Sequence, residues 1–184
     1  MIISGIVAGI AIGIACILYC LAPNPIIGAG LFALGLLAVR INKSDLFTGK
    51  IQYWGKPGYD TNTMSVMLWS NIIGIAIMAF LAWLSFPSVI TTAGAIGATK
   101  IAVPLIQTFG KAILCGYIMT LATKSDTPLW LSAVCVFAFV YSGLNHCIAD
   151  VFYYIITPST GKASLIPFWI TVIGNIIGGR MGRV

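Results

Sequence analysis

The chain has 184 residues, 59% of them hydrophobic and 8% charged, with a net charge of +6 and a mean hydropathy of +1.02. A soluble domain carries roughly 25% charged residues, so there is too little polar surface here to coat one, and the chain reads as an integral membrane protein. The excess of lysine and arginine is an orientation signal for such a chain and makes no case for nucleic acid. Strand-based barrels alternate apolar and polar residues over segments of about ten. No such alternation is present, which leaves helices, because in lipid every backbone donor must be paired within the protein.

About 20 apolar residues are needed to cross the hydrocarbon core. Six stretches qualify, at Ile2–Leu21, Ile26–Phe47, Ser65–Leu84, Ile101–Ala122, Leu129–Ile156 and Ser164–Gly179. The first has no basic leader and carries Gly5, Gly9 and Gly13 at four-residue spacing, so it reads as a packed span and not as a cleaved signal. Pro23-Asn24-Pro25 is a turn, Lys50–Thr63 is polar and holds Pro57-Gly58, and Ser85–Thr99 is a connector of small residues around Pro87. Lys124–Pro128 and Thr157–Lys162 close the set. No linker separates domains, so residues 1–184 form one membrane domain with halves at about 1–85 and 100–184.

Arg40, Lys43, Lys50, Lys56, Lys124, Arg180 and Arg183 fall on one side of this layout, and Lys100 and Lys162 on the other. The positive-inside rule then puts both termini and the Lys50–Lys56 loop in the cytoplasm of an inner-membrane protein. The cysteines (Cys16, Cys20, Cys115, Cys135 and Cys147) lie in apolar runs without ligand spacing, so neither disulfides, a metal nor another cofactor is expected.

Two spans are interrupted. The second breaks at Asn42-Lys43-Ser44-Asp45 before Leu46-Phe47-Thr48-Gly49, and the fifth at Gly143–Asp150, which contains the lone histidine. A charged group at mid-membrane costs roughly 2.5–3.5 kcal/mol on insertion scales, so such groups mark function. A single His is often only a satisfied core residue, but here Gly143, Asn145, His146 and Asp150 cluster inside an apolar run. The breaks hold equivalent places in two three-span halves, each with a Phe upstream (Phe32, Phe139) and an Asp-x-Phe downstream (Asp45/Phe47, Asp150/Phe152). That pattern points to an inverted repeat around a central pathway. Asp150 stands one turn after His146, where it would touch the imidazole or cap the next segment. Ser142, four residues before His146, raises the alternative of an intramembrane hydrolase, without a nucleophile-elbow motif to support it.

Asp45-Leu-Phe-Thr-Gly49, the Leu144–Phe152 stretch and the terminal Ile166-Pro…Gly174-Asn-Ile-Ile-Gly-Gly179 together resemble the three signatures of the formate/nitrite transporter family over essentially the whole chain. The resemblance implies a six-helix, aquaporin-like protomer, a pentamer with one pore per subunit, and passage of formate or nitrite, or of hydrosulfide, acetate or lactate. It also implies roles for single residues. His146 is similar to the family's central histidine and Thr48 to the threonine that hydrogen-bonds it. Phe32 and Phe139 resemble the outer constriction, and Leu36, Leu46 and Phe47 the inner one. Lys100 resembles the vestibule lysine and Asn175 the asparagine of the last helix. From the residues alone Lys100 is equally a snorkelling interfacial lysine, and Asn175 equally an interhelical bond.

The chain departs from the family pattern where Asn145 replaces a usual Glu, and where Asp150 and Gly116 replace common asparagines. The amphipathic segment that precedes the first span in many members is not seen, so no abrupt closure at low pH is expected. An unpaired ion at low dielectric is penalised by tens of kcal/mol, so a weak acid is expected to pass the apolar rings neutral. A histidine, titrating near pH 6.5 when unperturbed, would either donate the proton or only hydrogen-bond the acid. Lysine at the mouth would concentrate anions.

Overall fold

The computed structural model describes residues 1–157 and 161–183. Among them the chain forms only helices: α1 (Ile2–Leu21), α2 (Pro25–Ile41), α3 (Phe47–Lys50), α4 (Thr61–Ser85), α5 (Pro87–Ala102), α6 (Leu105–Thr123), α7 (Leu129–Tyr141), α8 (Cys147–Ile156) and α9 (Leu165–Met181), with short 3-10 turns at Ile51–Tyr53 and Gly161–Ser164. The last connector expected from sequence, Thr157–Lys162, runs through 158–160, outside the described residues. By length and composition α1, α4 and α6 are able to cross a membrane, and α2, α7, α8 and α9 are shorter apolar helices.

Local chemistry sets the starts. The Asn24 side chain accepts from Ile27 N–H at 3.0 Å with Pro25 in the first turn, and Asp60 accepts from Thr63 N–H at 2.7 Å. Both satisfy amides that a helix start leaves unpaired. Proline also opens α5, α6 and α7, at Pro87, Pro104 and Pro128.

The stretch read as a connector at Ser85–Thr99 is instead mostly helix α5. Its buried residues, Val89, Ala93 and Gly97, recur every four positions and form one face. The small residues that suggested a loop are what allow that face to lie close against α8: a Cβ at Gly97 would collide with the Thr157 hydroxyl and the Tyr153 carbonyl.

Both interruptions are built the same way. At the end of α2, Asn42 N–H donates to Ala38 O (3.0 Å), Lys43 N–H to Arg40 O (3.2 Å) and Ser44 N–H to Val39 O (2.9 Å). At the end of α7, Ser142, Gly143 and Leu144 donate to Ala138, Val140 and Phe139 at 3.1, 3.0 and 3.0 Å. The residue under each closing bond is left-handed, Lys43 at φ 52° and Gly143 at φ 63°. This C-terminal motif normally takes glycine.

One asparagine holds each break. Asn71 Oδ1 accepts from Phe47 N–H at 2.8 Å, while its Nδ2 donates to Gly5 O (2.8 Å) and Asp45 O (2.9 Å). Asn175 accepts from Cys147 N–H at 2.9 Å and donates to Ala112 O (2.8 Å) and Asn145 O (2.9 Å). Both are fully buried. They lie in the same four-residue string, Asn71-Ile-Ile-Gly74 and Asn175-Ile-Ile-Gly178. The bonds therefore register Asp45 with Asn145 and Phe47 with Cys147, which revises the Asp-x-Phe alignment read from sequence and sets Leu46 opposite His146. The neighbouring helices come close enough that a Cβ at Gly9 or Gly116 would overlap the carbonyl oxygen of Asn71 or Asn175.

Two stability changes follow. Asn71→Leu strands the Phe47 amide and the Asp45 carbonyl, each costing about 1–3 kcal/mol when buried, and should lower the unfolding temperature in detergent as much as Asn175→Leu does. Lys43→Gly removes a left-handed L residue that costs roughly 1–2 kcal/mol and should raise that temperature.

Candidate pore site

His146 is the N-cap of α8. Its Nδ1 accepts from Ala149 N–H at 3.1 Å, and Nε2 lies 2.8 Å from Thr48 Oγ1, at the start of α3. Because a backbone N–H already points at Nδ1, that nitrogen is the acceptor, so the neutral ring carries its proton on Nε2 and donates to Thr48. The ring stacks on Phe139 at 5.6 Å between centroids, and Phe139 meets Phe32 edge-on at 6.0 Å. Two breaks that sequence separates by about a hundred residues thus place an imidazole and a hydroxyl against each other, both buried.

One cavity reaches His146, and another ends at Leu46, two residues before Thr48. On one side a pocket of about 110 Å³ is lined by Tyr19, Phe32, Phe139, His146, Lys100 and Asp150. A wider one of about 360 Å³ shares Ile96, Lys100 and Gly143 with it and adds Asn145 and Lys111. On the other side a cavity of about 360 Å³ is lined by Arg40, Lys43 and Lys50 and reaches Leu46. Among the described residues no three metal-ligating side chains gather.

The residues singled out in the sequence fall into distinct places. His146, Phe32, Phe139 and Lys100 face the narrow pocket, and Leu46 faces the opposite cavity. Leu36 and Phe47 are buried but line neither. Asn145 lines the wider cavity, with its carbonyl held by Asn175. Asn175 stands behind the break, its amide spent on backbone groups. Lys100 lines both cavities on this side with its Nζ 3.0 Å from Asp150 Oδ1, the aspartate being 2% exposed. Asp150 contacts His146 through the backbone, donating N–H to its carbonyl at 2.8 Å, and the carboxylate belongs to the lysine. Ser142, the nucleophile of the hydrolase reading, is exposed at the end of α7, while both His146 nitrogens are taken by Thr48 and Ala149.

Three site residues were missed in the sequence. Lys111 and Asn71 each interrupt an apolar span with a polar group, a sufficient signal in a membrane chain. Tyr19, whose ring lies 6.5 Å from Phe32, carries no such mark.

An apolar chain that is helical throughout its described residues, with a buried histidine at the floor of one charged cavity and a second charged cavity ending at Leu46, defines a membrane transport protein. The chain belongs to the formate/nitrite transporter family, whose model matches residues 1–182. Its fold is similar to that of a pentameric formate channel with formate bound, at 24% identity and a TM-score of 0.81, covering 97% of this chain and 91% of that one. It is also similar to an FNT family ion channel, at 21% identity and a TM-score of 0.80, covering 97% and 85%. No curated protein matches the chain.

Removing one partner of a buried ion pair strands the other charge, at about 3–5 kcal/mol. Lys100→Ala should therefore sharply reduce thermal stability and oligomer yield on size exclusion, and Lys100→Ala with Asp150→Asn should recover most of both. A Lys100→Ala protein as stable as the parent would show that the pair carries no structural load.

Proposed function

We propose that the chain is a channel for small monovalent anions of weak acids, formate or nitrite first, in the cytoplasmic membrane with both termini inside. Hydrosulfide, acetate and lactate are the further candidates of the same class. In this reading α1, α2 with α3, α4, α6, α7 with α8, and α9 make six crossings, residues 1–85 and 100–184 are inverted repeats, and five protomers assemble with one pore each. The observation that carries it is the buried Thr48–His146 contact, with cavities that bear Lys100 and Lys111 on the histidine's side and Arg40, Lys43 and Lys50 beyond Leu46.

The mechanism follows from charge. Cations concentrate the anion at the mouths, and Phe32, Phe139 and Leu46, with Leu36 and Phe47 packed nearby, bar an ion that keeps its charge. The solute passes as the neutral acid. Since Nδ1 of His146 is occupied, the ring and Thr48 serve as a hydrogen-bonding station at the centre: Nε2–H donates to Thr48, and the threonine hydroxyl donates to an oxygen of the solute. The proton travels with the solute, and its release on the far side regenerates the anion. Asn145 and Asn175 keep the break in shape.

Parallel uptake of labelled formate, nitrite and hydrosulfide into proteoliposomes tests the assignment. His146→Phe should lower flux at least tenfold in a correctly assembled oligomer, and parental flux at every pH would remove the histidine from the mechanism. At fixed total substrate the neutral fraction grows as pH falls. Flux between about pH 8 and 5, spanning the ordinary histidine value, should rise smoothly with that fraction. A steep collapse toward pH 5 with the oligomer intact would mean that the 42–49 segment closes the pore.

A further inference from the structure

We infer that the cavity bearing Arg40, Lys43 and Lys50 is a binding site for a multivalent oxyanion that enters from that end and cannot pass, so that it blocks the pore. The blocking part rests on the channel reading above; the binding part does not.

Four observations carry the site. Its volume of about 360 Å³ lies in the range of small-molecule pockets, about 300–1,000 Å³, well beyond the needs of a solute with one carboxylate. Its lining supplies three cations and no carboxylate: Asp45 and Asp126 adjoin lining residues in the chain but do not line it. Two of the cations are held in place by neutral groups, so their charge is not cancelled. The Arg40 guanidinium donates to Lys124 O (3.1 Å), Thr127 O (2.7 Å) and Ser132 Oγ. Lys50 Nζ rests over the rings of Tyr53 and Tyr59 at 6.0 and 5.9 Å.

The third cation gives the clearest sign. Lys43 occupies the left-handed position that the matching turn fills with Gly143. A strained residue kept where glycine is the natural choice points to a use for its side chain, and Lys43 lines the cavity. At its inner end the cavity meets buried Leu46. A monovalent weak acid needs one proton to cross such a barrier. A dianion or trianion would need two or three, so it stays in the cavity. Phosphate esters and polycarboxylates share this chemistry.

The test titrates inorganic pyrophosphate and, separately, tricarballylate into the detergent-purified protein at low salt by isothermal calorimetry. Parent, Lys43→Gly and Lys50→Gln proteins are compared. At least one anion should bind with one site per protomer, about tenfold more weakly in either variant and more weakly as salt rises. Binding of pyrophosphate alone assigns phosphate esters, and of tricarballylate alone polycarboxylates; either outcome supports the site. The bound anion should also reduce formate flux when present on one face of the proteoliposome and not on the other, scored as a fraction of each variant's own uninhibited flux. No binding of either anion, or binding that both variants leave unchanged, overturns the site. Binding that never affects a measurable formate flux overturns the block alone. A protein that binds the anion but carries no formate fails the channel reading and leaves the site standing.

Discussion

A chain that stops being helical inside an apolar protein must find partners for the amides and carbonyls it frees, and the rest of this structure depends on how that is done. Unpaired buried backbone groups cost as much as lost hydrogen bonds, and lipid offers none in return. Asn71 and Asn175 each take two of these groups at once and tie them to a carbonyl of a neighbouring helix, Gly5 in α1 or Ala112 in α6. A single side-chain amide with one acceptor and two donor hydrogens fits this duty, and no apolar residue of the same size does. With the breaks pinned, the short helices α3 and α8 start at fixed points, and Thr48 and His146 come within hydrogen-bond reach.

The likeness of the two breaks also shows where they differ. Their turns share hydrogen bonds residue for residue, yet Leu46 stands opposite His146, and Lys43 opposite Gly143. One end of the pathway therefore has an apolar floor beneath three cations, and the other an imidazole beneath an aromatic pair and a lysine neutralised by Asp150. The two turns are bonded alike and their chemistry is not.

Much of this was legible in the sequence. Low charge and long apolar runs gave the class, and polar residues inside two of those runs marked both breaks and the histidine. What stayed hidden was tertiary. The α5 helix was masked because its buried face is made of small residues that also suit a loop. The ion pair of Lys100 was hidden because its partner Asp150 is fifty residues away and became visible only when α5 packed on α8. The Asp-x-Phe repeat was a misleading likeness, since the true register is set by asparagines on other helices. The repeated Asn-Ile-Ile-Gly string would have revealed it.

His146 spends one nitrogen on the first turn of its own helix. Its ring cannot accept a proton at Nδ1, or swing away from Thr48, without surrendering that amide. Any change in the ring's protonation or orientation is therefore also the unpeeling of a helix end, and the two equilibria are linked so that each favours the other, while the closed helix end opposes both. Local opening of that kind runs on microsecond or slower timescales, much longer than a rotamer flip at an exposed residue. The centre of the molecule is thus held by the backbone of α8, which acts as the brake on the imidazole.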